Sequence, residues 1–128
     1  MTPETLLYTR QHEWVARRDS TVVVGLTDHG QETLGEIIHV ELPPVGKRLA
    51  KGEEAAAVES SKASVGLDVP VSGAIVTVNE ALADAPGLVN SDPYGKGWLY
   101  EMSLSDADEL ASLMDAHRYQ EYLRQDAT

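Results

Sequence analysis

The chain of 128 residues contains no cysteine. Neither a disulfide framework nor a thiolate metal site can be built from it, so any redox chemistry must come from an attached or bound group. Positive charge is scarce: 10 lysines and arginines stand against 21 aspartates and glutamates, for a formal net charge of −11. A surface of that sign repels phosphate backbones and anionic lipid, which argues against nucleic acid and membrane as main partners. Two readings of the charge remain, plain solubility and steering toward basic partner surfaces. Long apolar runs are missing as well, since no stretch approaches the roughly 18 residues that read as a membrane-spanning helix. Met1 to Gln11 shows neither the apolar run of a secretory signal nor the Arg-rich pattern of a transit peptide. A cytoplasmic protein is expected, or a mature organellar one trimmed of its leader.

What is present is a succession of short β-branched runs separated by glycine and proline. Thr21-Val22-Val23-Val24-Gly25-Leu26 is the first clear strand. In 36–42, Ile38, Val40 and Leu42 alternate with Ile37, His39 and Glu41, as in a half-buried strand. Between the two, Asp28 with Gln31 resembles a capping box and Gly35 suits a left-handed helix stop, so one or two helical turns are expected there. After the Pro43-Pro44 break and a Lys51-Gly52 turn come two facing strands, 53–59 and 66–71. The second carries Pro70, which fits an edge or a bulge. Gly73 precedes a strand over 74–78, residues 83–97 read as loop, and a last strand spans 98–102. In the tail, Ser105 followed by Asp108 signals a helix start, with Ala107, Leu110, Ala111 and Met114 at helical spacing. Asp115 reads as a second N-cap, bridged by a Met114–Tyr119 hydrophobic staple. One domain over 1–128 is expected, a small β sandwich or barrel with a C-terminal helical extension over 104–125.

The chemistry-bearing segment is Val58-Glu59-Ser60-Ser61-Lys62-Ala63-Ser64-Val65. Apolar strand signals stop at Val58 and restart near Val65, so small and polar residues form an exposed turn with Lys62 near its tip. A lysine there is open to acylation, which would remove its charge and lengthen it into a swinging arm. On spacing alone, a surface lysine in a turn is more often just a solvated charge. Little else suggests reactivity. His12, His29, His39 and His117 are scattered, with no metal-binding pair at helical spacing, and Gly-rich phosphate loops and nucleophile elbows are absent. No metal site and no catalytic residues are expected.

Several ordered segments carry a resemblance. They are Tyr8-Thr9-Arg10-Gln11-His12-Glu13-Trp14-Val15, Val24-Gly25-Leu26-Thr27-Asp28-His29-Gly30-Gln31, Leu34-Gly35-Glu36 and Val40-Glu41-Leu42-Pro43. Val58-Glu59-Ser60-Ser61-Lys62-Ala63, Pro70-Val71-Ser72-Gly73, Val78-Asn79-Glu80-Ala81-Leu82, 88–95 and Gly97-Trp98-Leu99 complete the set. Together they span nearly the whole chain, which resembles the H proteins of the glycine cleavage system. The resemblance implies a mainly β fold, a barrel-sandwich hybrid of lipoyl/biotinyl-carrier type. It would have two small antiparallel sheets, a short internal helix and a C-terminal helical pair. It implies a non-catalytic carrier with lipoate joined covalently to Lys62.

The arm is then expected to take an aminomethyl group from glycine decarboxylase (P protein) to aminomethyltransferase (T protein). Dihydrolipoyl dehydrogenase (L protein) reoxidises its dithiol, and lipoylating enzymes install it. Glu59, three residues before the lysine, and Gly73, eleven after it, match the recognition positions of lipoyl domains. Glu13 matches a position implicated in sheltering the loaded arm, where a carboxylate could pair with the cationic amine. Thr33 stands where some members have histidine near the arm, and Gly66 where members commonly have an acidic residue. These departures touch the contacts of the cargo and leave the attachment residues unaltered. An H-like protein relaying lipoyl groups to other complexes is the nearest alternative. A biotin carrier would flank its lysine with methionines, and a 2-oxoacid dehydrogenase domain would place aspartate where Ser61 stands. Location is expected to be the bacterial cytoplasm, or the mitochondrial matrix for a trimmed eukaryotic form.

Overall fold

A computed structural model describes residues 5–126. In chain order it begins with β1 (Leu7–Tyr8), β2 (Glu13–Arg18), β3 (Thr21–Leu26), α1 (Asp28–Leu34) and β4 (Ile37–Glu41). It continues with β5 (Arg48–Leu49), β6 (Glu54–Ser60), β7 (Ser64–Asp68), β8 (Gly73–Val78), α2 (Ala81–Asp84) and α3 (Leu88–Ser91). Strand β9 (Tyr100–Ser103), a 3-10 helix (Ala107–Ser112) and α4 (Ala116–Asp126) end it. One sheet has the order β1-β2-β3-β9-β8-β5 and the other β4-β6-β7, with every pairing antiparallel. The expected two-sheet, mainly β architecture is what the chain forms, and neither sheet closes into a barrel.

The core between the sheets explains the residue choices. Val15, Val22, Val24, Ile75, Tyr100 and Met102 from the larger sheet meet Ile37, Val40, Ala56, Val58 and Leu67 from the smaller. Val23 breaks the alternation expected of a half-solvated strand, because the opposite face of the larger sheet is covered too. There Tyr8, Trp14, Val23, Ala116 and Tyr119 form a second cluster beneath α4. Tyr8 and Tyr119 stack at 4.5 Å, and Tyr8 exchanges backbone hydrogen bonds with Met114 at 2.8 and 2.9 Å. Gly25, opposite Trp14 in the register, is small by necessity, since a Cβ there would stand 2.5 Å from the indole ring. The tail is thereby fixed to the body of the fold.

Several boundaries differ from the sequence expectations. The N-cap of α1 is Thr27, whose side chain accepts from the Gly30 amide, while Asp28 instead receives a hydrogen bond from Gln31. Ile38 is half exposed, at 50%, and Ile37 is buried, because a register shift between Ile37 and His39 reverses the alternation. The expected strands over 53–59 and 66–71 are β6 and β7, shifted toward a tighter turn, and Pro70 lies beyond the ladder. The stretch 83–97 is not all loop: it holds the end of α2 and all of α3. The last strand starts at Tyr100 rather than Trp98. Strand β2 went unread in the sequence, as did the two-residue strands. The first half of the expected helical pair is a 3-10 helix capped by Asp106, and Asp115 accepts from the Arg118 amide at the start of α4.

Candidate functional site

Lys62 is exposed on the bend that joins β6 to β7. The turn is held from beneath by Ser60, which is buried: its Oγ accepts from the backbone amides of Lys62 and Ala63, each at 3.1 Å. The Ser60 amide donates to the Ala63 carbonyl at 2.8 Å, and the Ser61 amide to the Glu36 carbonyl at 3.0 Å. The tip is therefore tied to the corner between α1 and β4. Gly35 turns that corner at φ 84°, a left-handed conformation that suits glycine. The Lys62 stem lies over it, with Cε only 3.0 Å from where a Cβ of residue 35 would be. The arrangement offers one amine to solvent on a backbone with little freedom.

The other expected residues fall in different places. Glu59 is exposed on the outer face of the small sheet, opposite His39 on one side and Ser64 on the other. Thr33 is exposed in the last turn of α1, its Oγ1 bonded to the His29 carbonyl at 2.9 Å. Gly73 opens β8 in the larger sheet, where a Cβ would collide with the Ser103 carbonyl oxygen. Its lack of a side chain thus has a steric cause inside the fold. Gly66 sits in the middle of β7 and is covered by the Glu54 side chain.

Glu13 is wholly buried at the edge of a cleft of about 570 Å³. Gln11, Asp68, Met114, Arg118 and Tyr122 also line it. One Glu13 oxygen accepts from Thr9 Oγ1 at 3.2 Å, and the other, Oε2, has no hydrogen-bond partner among the described residues. Burial pushes the Glu13 carboxyl up to about 8; the Thr9 bond opposes this and the Asp68 charge adds to it. Gln11 fixes Asp68 beside it, donating from Nε2 to Oδ2 at 3.2 Å and accepting from the Asp68 amide at 3.0 Å. Tyr100 OH is a second buried atom without a hydrogen-bond partner among the described residues, its phenol raised by burial and then by Glu13 and Asp68. A buried carboxyl with an unpaired oxygen costs free energy, and a group that paired with it would relieve that cost. Strand β7 leads from the Lys62 turn to Asp68 at this cleft. Gln11, Asp68 and Tyr100 were not foreseen as site residues. Asp68 lay unremarked within the strand expected over 66–71, and Gln11 stood only as a member of the segment 8–15.

His12 adopts φ 65° in the β1–β2 turn. Its Nδ1 lies 2.9 Å from Tyr119 OH, which is 2.7 Å from Thr27 Oγ1. It joins α4 to the turn that presents Glu13, a packing and hydrogen-bonding role.

Two small antiparallel sheets with a solvent-facing lysine on the braced hairpin of one of them make a domain of the lipoyl-carrier type. The family model described as Glycine cleavage H-protein matches residues 6–126. A glycine cleavage system H protein of Beijerinckia indica is 52% identical over 117 residues, 91% of this chain and 94% of the relative. One from Thermotoga maritima is 48% identical over 119 residues, covering 93% and 96%. A crystal structure of a glycine cleavage system H protein from Mycobacterium marinum superposes with a TM-score of 0.85 at 38% identity, covering 98% of this chain and 99% of that one. The chain belongs to the glycine cleavage H-protein family, the lipoyl carriers of glycine cleavage, which bear covalently attached lipoate.

Proposed function

We propose that Lys62 is the lipoyl attachment point, and that the protein itself performs no chemistry beyond presenting and sheltering the arm. The observation that carries this reading is the exposed Lys62 amine above a turn whose backbone Ser60 and Glu36 hold in place. When bound, the lipoyl group supplies a disulfide–dithiol pair and the point to which an aminomethyl cargo is joined. Everything else is positional. The Ser60 bracing presents the lysine to modifying enzymes, and Glu59 offers them a carboxylate on the adjoining strand. Gly73 lets β8 approach β9 closely, and its part in recognition is to keep that geometry. At the cleft, Glu13 is held neutral near pH 7 by burial and gives up its proton when a cationic amine arrives. It thereby shelters the cargo from water between visits to partners.

Those partners are glycine decarboxylase, aminomethyltransferase and dihydrolipoyl dehydrogenase, with lipoylating enzymes acting beforehand. The net charge of −11 favours basic docking surfaces on them. The setting is the bacterial cytoplasm. Among the described residues no helix is long and apolar enough to cross a membrane. A role as a lipoyl relay drew support from the missing acid at Gly66. Glu54 supplies a carboxylate at that place, which takes away the reason for preferring it.

Intact-mass analysis with site mapping tests the attachment in protein from lipoate-replete cells. Lipoyl mass on Lys62 is expected, and Lys62→Arg should fold normally, remain unmodified and lose glycine exchange, because a guanidinium cannot form the amide. Modification at another lysine, or exchange at the parental rate in the variant, would overturn it.

A further inference from the structure

Glu54 and Gly66 share one place on the surface. Residue 66 is on the outer face of the small sheet with Ser64 and Asp68, alternating with the core residues Val65 and Leu67. A Cβ on Gly66 would collide with Glu54 Oε1 and lie 2.8 Å from its Cδ. Glu54 pairs with Asp68 across the ladder, and the register shifts between Glu54 and Ala56, so its side chain runs from the Asp68 end back over Gly66. A side chain on residue 66 would evict it.

This placement is electrostatically unfavourable as it stands. Like charges directly opposite one another weaken a sheet, and Glu54 opposes Asp68. Neither has an ion-pair partner among the described residues, and neither does Glu13. Arg10, Lys51 and Arg118 border the cleft, but Lys51 Nζ donates to Ser112 Oγ instead. Behind Asp68 stands the buried Glu13 oxygen with no partner. Glu54, Asp68 and Glu13 therefore follow one another from the outer face of β7 to the cleft, and none of the three is held in an ion pair among the described residues. Uncompensated conflict of this kind marks a site built for a ligand of opposite charge.

We propose that Glu54 is a specificity-determining residue of the cargo site, its carboxylate joining Asp68 at the rim to receive the primary ammonium group carried by the arm, and that Gly66 is glycine to admit it. The proposal rests on the reading of Glu13 as the inner cargo contact. It assigns to β6 a carboxylate that a side chain on β7 could otherwise supply.

Unlipoylated protein with carboxyl carbons labelled is titrated with methylammonium chloride, and with tetramethylammonium as a control lacking N–H donors. Glu54, Asp68 and Glu13 resonances are expected to shift together with methylammonium. Glu54→Gln should weaken the apparent affinity by about threefold or more, the scale of an exposed ion pair. It should also leave the melting temperature unchanged or higher, because it relieves the opposition to Asp68. Gly66→Asp combined with Glu54→Gln puts the carboxylate back from the other strand and should return affinity to within about twofold of the parent. The lifetime of the amine cargo on the loaded arm should follow the same order.

Equal affinity and cargo lifetime for parent and Glu54→Gln would overturn the proposal, as would a double variant no better than the single one. A fall in melting temperature with Glu54→Gln would mark the residue as structural and overturn it as well. Glu13→Gln separates the two levels. If it changes neither methylammonium binding nor cargo lifetime, the underlying cargo-site reading fails; if it changes both while Glu54→Gln changes neither, only the role of Glu54 fails.

Discussion

Asn90 is bonded to Gly35 across 55 residues of sequence, its Nδ2 donating to the Gly35 carbonyl at 2.8 Å. The same nitrogen donates to Gln31 Oε1 at 2.9 Å, and Asn90 Oδ1 accepts from the Ile37 amide at 2.9 Å. One side chain thus clamps both sides of the corner over which the Lys62 stem lies. The next residue along, Glu36, accepts from the Ser61 amide of the tip. Asn90→Ala leaves these groups unpaired in a partly buried setting, at a cost of about 1–3 kcal/mol. Amide exchange at Ser61 and Lys62 should speed up by more than at Val22 and Val24, whose protection falls only with global stability, and a lower lipoylation rate should accompany it. Uniform loss of protection across the molecule would mean that Asn90 supports the whole fold and not the tip.

Lys62 was legible because small polar residues interrupt two apolar runs, a local pattern that tertiary packing did not disturb. The helix stop at Gly35 was legible for a similar reason, since its backbone conformation favours glycine. Other features depend on pairing between distant segments. Ile38 faces outward because β4 slips against β6, and nothing within 36–42 encodes that slip. Glu54 reaches Gly66 through a comparable shift against β7, so the sequence showed only an absent acid where the structure has one from another strand. Glu13 drew notice through family resemblance alone. Its burial comes from the cleft walls, which α4 and the β5–β6 turn supply from far along the chain.

Gly73 and Glu59 stand at the two positions proposed for lipoylation recognition, yet their surroundings predict opposite behaviour. Gly73→Ala drives a methyl group into the Ser103 carbonyl, a backbone atom that cannot rotate away. A loss of about 2 kcal/mol or more is expected, with slower lipoylation following the loss of folded protein. Glu59→Ala sits on an exposed face and should alter stability by no more than about half a kcal/mol while slowing lipoylation directly. Urea denaturation and a ligation assay on both variants check the pair. The contrast fails if Gly73→Ala melts with the parent, or if Glu59→Ala is lipoylated at the parental rate.

Glu13 should give the protein an alkaline weakness. Its carboxyl titrates near 8 in the fold, against 4.5 for an unperturbed glutamate, chiefly because burial disfavours the charge. Between those values the native state keeps a proton that the unfolded chain has released. The contribution is therefore fully present below about pH 4.5 and is lost as pH rises through about 8. Glu13→Gln removes the titration while keeping a polar group of similar shape beside Thr9. Relative to the parent, the variant should gain stability by at least about 1 kcal/mol on going from about pH 5 to about pH 9. Urea unfolding at the two pH values measures this, and parallel pH profiles would show that Glu13 is already ionised in the free protein. On the proposed reading, the amine of the loaded arm comes to rest at this carboxyl. A cationic amine at Glu13 replaces the proton, so loading should flatten the parent's alkaline decline and release protons near neutral pH.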